Sequence, residues 1–174
     1  ITSHLLSKPP RTFRDIGTFW MRRVKRLLPA SFLVIIFSLL GVRLLAPETL
    51  WQDWGLQSIA APFYFQNWFL PTSKVDYLAE ADAPSPFQHF WSLSVEEQFY
   101  LVWPILIALL LFLAVRYGFK AKKFALIGIG LVVALSLAYS IYWTATDAGS
   151  AYFSTLTRGW EFGIGALVAA FGER

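Results

Sequence analysis

The sequence predicts an all-α protein, a polytopic transmembrane helix bundle. Hydrophobic residues make up 56% of its 174 positions and mean hydropathy is +0.51, above the apolar share usual in soluble domains. Several apolar runs are long enough to cross a hydrocarbon core of about 30 Å. Basic residues gather at the ends of those runs, where the positive-inside rule gives them meaning. Cysteine is absent and the histidines are two, His4 and His89, which excludes thiol chemistry and disulfides and leaves no ligand set for structural zinc. No metal is expected. The formal charge of +4 is modest and uneven, so nucleic acid is a poor candidate partner. No internal repeat stands out.

Along the chain, Ile1 to Leu6 reads as the tail of a helix broken by residues 7–10. Lys8, Arg11, Arg14, Arg22, Arg23, Lys25 and Arg26 follow against the single acid Asp15, which places this segment on the cytoplasmic side. Residues 19–30 read as an amphipathic interfacial helix running into a first span over 27–46, with Pro29 near its entry. Arg43, near the far end, can snorkel to the interface. Residues 51–70 are aromatic but carry Gln52, Asp53, Gln57, Pro62, Gln66 and Asn67, a poor lipid-facing sequence. An acidic loop over 71–88 contains Asp76, Glu80 and Asp82. A span over 92–115 comes next, ended by Arg116, Lys120, Lys122 and Lys123.

If the first span runs outward and the 92–115 span runs back in, nothing between them crosses. Residues 51–70 are therefore expected to be re-entrant or interfacial, with backbone groups satisfied against protein. The acidic loop and the His89 end of the central helix then face outward. A span over 124–145 has no charge and offers Gly128 and Gly130 as close-packing points. A last span over 152–171 contains Arg158 and Glu161, three apart, with Gly159, Gly163 and Gly165 beside them. The chain opens without an initiator methionine and stops just after an apolar run. It reads as part of a longer polypeptide, inactive without the remaining helices.

The densest polar stretch is residues 89–104, HFWSLSVEEQFYLVWP, set directly against an apolar run. Ionisable groups there are costly and mark a functional site by default. Ser94 and Glu97 form a capping-box pattern that starts a helix, which occupies Glu97 and makes Glu96 the carboxylate free for chemistry. His89, Ser92 and Glu96 share a helical stripe. Pro104 should bend the helix.

Those sixteen residues strongly resemble the signature of the membrane acyltransferase-three family, the bacterial O-acetyltransferase type that modifies lipopolysaccharide O-antigen, peptidoglycan and other envelope glycans. Two shorter matches flank it in order. Arg23-x-x-Arg26, followed by a proline, resembles the family's proposed site for the acyl-CoA donor, with Arg22 and Lys25 as neighbours. Guanidinium forks suit the diphosphate and ribose phosphate of coenzyme A; taken alone, such arginines merely set topology and touch lipid phosphates. Arg158, Glu161 and the glycines resemble a third block, which implies a place in the substrate cavity, against the plain alternative of a self-neutralising ion pair.

The resemblance implies a transferase of the bacterial inner membrane, multi-pass and embedded in membrane lipid. It would move an acyl group, expected to be acetyl from acetyl-CoA, from the cytoplasm to a hydroxyl of an envelope glycan or lipid-linked sugar facing outward. Arg22, Arg23 and Arg26 would hold the donor below, and Glu96 and His89 would serve the acceptor above. The histidine usually assigned as base in the family lies upstream of Ile1, so Glu96 and His89 are given supporting roles. Glu96 would orient or charge-balance that base, or bind sugar hydroxyls. Trp91 and Tyr100 are candidates to stack on a sugar or line the channel, although interfacial aromatics are commonly belt residues. His4 reads as a surface residue. A membrane transporter or flippase for a glycan or lipid intermediate is the rival class, but it would show inverted repeats with paired broken helices, and none is visible.

Overall fold

A computed structural model describes residues 2–7, 13–72 and 85–172. The loop acids Asp76, Glu80 and Asp82, the basic residues Lys8 and Arg11 and the His4 side chain lie outside what it describes. Among the described residues there is no strand. The helices are α1 (Thr2–Ser7), α2 (Phe13–Leu45), α3 (Trp51–Ala60), α4 (Gln66–Thr72), α5 (Phe90–Arg116), α6 (Ala121–Thr146), α7 (Ala148–Phe153) and α8 (Thr155–Gly172), with a single 3-10 turn at Glu48–Leu50.

The expected interfacial helix and first span are one continuous helix, α2, with Pro29 inside it. Its 33 residues extend about 50 Å, well beyond a hydrocarbon core, so the helix projects out of the membrane. It stops before Pro47, which disfavours helical backbone at Ala46. The freed Ala46 carbonyl accepts from the indole of Trp51 at 3.1 Å, and the Arg43 guanidinium lies 4.2 Å from the Trp51 ring centre.

Between residues 51 and 70 the chain forms no long helix. With 10 and 7 residues, α3 and α4 reach about 15 and 10 Å. Three of their polar side chains point into protein, since Gln57, Gln66 and Asn67 are buried and Gln66 Nε2 donates to Gln57 Oε1 at 3.0 Å, whereas Gln52 and Asp53 are exposed. The turn between the helices closes with Phe65 N–H donating to the Ala60 carbonyl and Tyr64 N–H to that of Ala61, both at 3.1 Å. That pair of bonds is a helix C-terminal cap needing one left-handed residue, and Tyr64 takes it at φ 59°.

The α5 helix starts at Phe90 with His89 as N-cap and no side-chain cap bond, which corrects the expected capping box. Ser94 lies inside the helix, buried, and donates to the Phe90 carbonyl at 2.9 Å; Glu97 points elsewhere. Pro104 has no N–H to offer the Tyr100 carbonyl four residues back. Trp20 Nε1, on α2, donates to that carbonyl at 3.2 Å. The helix ends where Gly118 takes φ 72°, with Phe119 N–H on the Ala114 carbonyl at 2.8 Å and Gly118 N–H on that of Val115 at 3.3 Å. This is the same cap geometry as at Tyr64, here with the residue that adopts it without steric cost.

Beyond that turn α6 packs along α8. A Cβ at Gly163 would lie 2.3 Å from Val133 Cγ2, and one at Gly128 would lie 2.5 Å from Leu110 Cδ2. The expectation of close approach therefore holds at these two glycines. At Gly159 a Cβ would meet Ser136 Oγ at 3.1 Å, whereas nothing lies within 4 Å at Gly130 or Gly165. Asp147 caps α7 by accepting from Ser150 N–H at 3.1 Å. Those bonds from Ser150 hold its carboxyl below the usual aspartate range.

Three of the helices, α2, α5 and α6, are long and apolar enough to cross a membrane. Leu33, Ile36, Phe37 and Leu40 of α2 are exposed, as a lipid-facing stripe requires. The chain is a membrane protein built as a helix bundle. The far half of α2 packs near the start of α5, since Ile35 and Val42 share a cluster with Phe87 and Phe90. Its near half meets α5 further along, at Glu97 and Tyr100. The two helices are antiparallel, so the basic start of α2 and the basic end of α5 lie toward one side.

Candidate active site

The two helices bring together groups that the sequence reading put on opposite faces. Arg23 Nη2 lies 2.6 Å from Glu97 Oε1, and its Nε donates to Oε2 at 3.2 Å. The fork is bidentate, with side chains 25% and 11% exposed. The Arg23 guanidinium also lies over the Tyr100 ring, 3.5 Å from its centre. Tyr100 in turn donates its hydroxyl to Glu96 Oε1 at 3.1 Å, one helical turn back.

Arginines and carboxylates thus form one cluster, which corrects the picture of a donor site below and an acceptor site above. The physical reason is the true start of α5. Because it begins at Phe90, Glu97 lies seven residues, about 10 Å, inside the helix. Arg23 lies ten residues into α2, about 15 Å, level with Glu97 of α5. With the capping role gone, the ground for preferring Glu96 over Glu97 also goes. Glu97 holds the arginine, and Glu96 holds the tyrosine.

Two cavities adjoin this cluster. One, of about 590 Å³, is lined by Phe19, Arg22, Arg23, Arg26, Leu27, Leu93, Glu96, Glu97 and Tyr100. Among the described residues no carboxylate stands within ion-pair distance of Arg22 or Arg26, and both are exposed. The other, of about 180 Å³, is bounded by the same Arg23, Glu97 and Tyr100 together with Trp20, Val24, Phe63, Tyr64, Phe65, Gln98 and Leu101. Its walls are mainly apolar side chains. Tyr64 sits on the turn between α3 and α4, and burial together with the nearby Glu97 carboxylate raises its phenol above the ordinary value.

Of the other sequence candidates, His89 is exposed at the start of α5, its carbonyl accepting from Ser92 Oγ at 3.2 Å. Trp91 is buried at 8% exposure, against Tyr152 with ring centres 4.9 Å apart and edge-on to Phe153 at 5.4 Å. The Arg158 guanidinium covers it from 5.2 Å. A tryptophan packed this way has no free face for a sugar. Arg158 pairs with Glu161 at 3.3 Å and donates to the Tyr152 carbonyl at 3.2 Å. Neither of the two lines the cavities at Arg23.

The residue that sequence reasoning passed over is Gln98. Its amide donates to the Tyr64 carbonyl at 2.7 Å and to Asn67 Oδ1 at 2.8 Å. Its oxygen accepts from Trp68 Nε1 at 3.1 Å and from the Thr155 hydroxyl. Asn67 closes the network, donating to the Phe153 carbonyl at 3.1 Å and to Thr155 Oγ1 at 3.0 Å. A half-buried amide with all its hydrogen bonds made ties α4, α5 and α8 behind the cluster. The available signal was the presence of Gln66 and Asn67 in an otherwise aromatic segment, which implied polar partners without naming them.

Fold and site together define a membrane-embedded helix bundle with an arginine-lined cavity closed by two carboxylates. The chain belongs to the acyltransferase domain family, which matches it over residues 1–174. It is 36% identical over 171 residues to the O-acetyltransferase OatA of Staphylococcus aureus, covering 97% of this chain and 27% of that protein. To the peptidoglycan O-acetyltransferase OatA of Listeria monocytogenes it is 36% identical over 155 residues, 89% of this chain and 24% of the relative. To YrhL of Bacillus subtilis it is 33% identical over 155 residues, again 89% and 24%. The chain therefore spans about a quarter of the length of these relatives. No solved structure matches it.

Proposed function

We propose that this chain carries the donor-binding part of a membrane O-acyltransferase that moves an acyl group, acetyl in the first instance, from acyl-CoA to a hydroxyl of an envelope glycan. The observation that carries the reading is the larger cavity, where three arginines meet two carboxylates and, among the described residues, Arg22 and Arg26 have no acidic partner. Unpaired guanidinium groups at the mouth of a cavity in an apolar bundle favour a phosphorylated ligand. Coenzyme A is such a ligand, and its thioester is an acyl donor. The names of the relatives support the acetyl group and the glycan acceptor. The basic ends of α2 and α5 support entry of the donor from the cytoplasmic side of a bacterial inner membrane.

In the reaction the acceptor hydroxyl oxygen attacks the thioester carbonyl and the carbon–sulfur bond breaks. The acceptor's proton leaves through a base, and the sulfur departs as the coenzyme A thiol. Negative charge develops on the carbonyl oxygen, where preorganised donors lower the barrier most. Arg23, held rigid by Glu97 and the Tyr100 face, is the donor placed at the junction of the two cavities. Arg22 and Arg26 bind phosphate. Glu96 holds Tyr100 in place and is positioned to accept a hydrogen bond from an acceptor hydroxyl.

The test is transfer of labelled acetyl from acetyl-CoA to envelope glycans in membrane vesicles containing the full-length protein. Arg26→Ala and Arg22→Ala should raise the KM for acetyl-CoA about tenfold or more each, and Arg23→Ala should lower kcat. Unchanged KM in both of the first two variants would remove the donor assignment. A parent that moves glycan or lipid across the bilayer without acylating it would favour a transporter instead.

A further inference from the structure

The cap at Tyr64 and the cap at Gly118 have the same pair of hydrogen bonds and the same left-handed residue, at φ 59° and 72°. Glycine takes that backbone freely, whereas a residue with a Cβ is strained there. The Tyr64 hydroxyl is also withdrawn from solvent, beside Ser31. A residue kept in an unfavourable backbone state points to a role for its side chain. That side chain is a wall of the smaller cavity, and Gln98 clamps the strained residue in place through its carbonyl at 2.7 Å.

We propose that the smaller cavity receives the acyl end of the donor and that Tyr64, with Leu101, limits the length of the chain that fits. This rests on the acyl-CoA reading of the larger cavity. The two cavities share Arg23, Glu97 and Tyr100, so one ligand spanning the junction would place a charged half among Arg22 and Arg26 and an apolar half against Val24, Phe63 and Leu101. An acyl thioester has that division, and its reacting carbonyl lies at the join. At about 180 Å³ the cavity has room for a short acyl chain. Tyr64 is thus a specificity-determining residue for the reaction proposed above.

The experiment measures kcat/KM for the full-length protein in vesicles with acetyl, butyryl and hexanoyl donors, offered both as coenzyme A thioesters and as p-nitrophenyl esters. One added methylene in a fitted apolar pocket changes discrimination by about ten- to two-hundredfold. Tyr64→Gly and Leu101→Ala should therefore each raise the hexanoyl-to-acetyl ratio at least tenfold, while Tyr64→Phe, which keeps the ring, should leave it within about twofold. Tyr64→Gly should also unfold at the same or a higher temperature than the parent, which guards against a trivial loss of fold. A ratio unmoved by both enlarging variants would overturn the proposal and leave the cavity to lipid or a neighbouring helix. Activity with the esters but not with the thioesters would sink the coenzyme A reading alone, since the length profile would still report on the cavity. Inactivity of the parent with both series would overturn both.

Discussion

Removing either partner of the Arg23–Glu97 pair should destabilise the bundle, but by unequal amounts. Two charge-assisted bonds, at 2.6 and 3.2 Å, are worth about 1.5–3 kcal/mol each at the upper limit. Orphaning one member of a buried pair costs about 3–5 kcal/mol. Side chains 25% and 11% exposed belong near the lower end of that range. Arg23→Ala leaves a nearly buried Glu97 carboxylate without its partner, and about 3 kcal/mol is expected. Glu97→Ala leaves Arg23 over the Tyr100 ring at 3.5 Å, a cation–π contact worth about 1 kcal/mol, so the loss should be nearer 2 kcal/mol. The double variant should cost about 3 kcal/mol, giving a coupling of about 2 kcal/mol in a double-mutant cycle. The assay is reversible unfolding of the full-length protein in mixed micelles, followed by tryptophan fluorescence. A coupling below about 0.5 kcal/mol would place the pair among exposed surface bridges and refute a rigid arginine at the cavity junction.

Three further outcomes follow from the packing. Gly163→Ala should destabilise by about 1–3 kcal/mol through overpacking, because its Cβ would sit 2.3 Å from Val133 Cγ2; Val133→Ala in the same chain should recover most of the loss in the same unfolding assay. Gln98→Leu should cost roughly 2–4 kcal/mol, since it strands the groups on Tyr64, Asn67, Trp68 and Thr155 that the amide now satisfies, and hydrogen exchange should rise first in α4. Asp147 has a folded pKa below its unfolded value, so its contribution to stability is complete above the ordinary aspartate value of about 3.9 and disappears as pH falls through the folded value. Asp147→Asn, which keeps a capping oxygen, should flatten the acid limb of a stability–pH curve, and an identical limb in both proteins would exclude the cap as its source.

The helical architecture was legible because apolar run length and flanking charge report directly on lipid contact. Arg22, Arg23, Arg26, Glu96 and Tyr100 were also legible as polar groups in costly places. What the sequence could not show was depth. A capping box at Ser94 and Glu97 is a local pattern, and a tertiary bond from Arg23, 74 positions away, outcompeted it and let the helix begin a turn earlier. Trp91 reads from sequence as a candidate to stack on a sugar because nothing local announces that Tyr152, Phe153 and Arg158 cover it. Gln98 had the same problem in reverse, since its four partners come from two distant segments, residues 64–68 and Thr155.

The shift in depth alters the mechanism more than it alters the membership of the site. With donor and acceptor groups at opposite faces, an acyl group would have to travel the thickness of the bundle between two separate stations. With Arg23 against Glu97, the same arginine that shares a cavity with Arg22 and Arg26 also adjoins the carboxylates. The pair lies about 10 Å in from the start of α5 and about 28 Å from its basic end at Arg116. A donor with its nucleotide among the arginines and its pantetheine arm reaching inward would bring the thioester to the acceptor, rather than the acyl group being handed across. The antiparallel packing of α2 and α5 makes this arrangement possible, because it aligns the basic ends on one side and leaves the first turns of α5 directed to the other. Trp20 holds that alignment by capping the carbonyl that Pro104 frees, so the proline also helps to fix the level at which α2 and α5 meet.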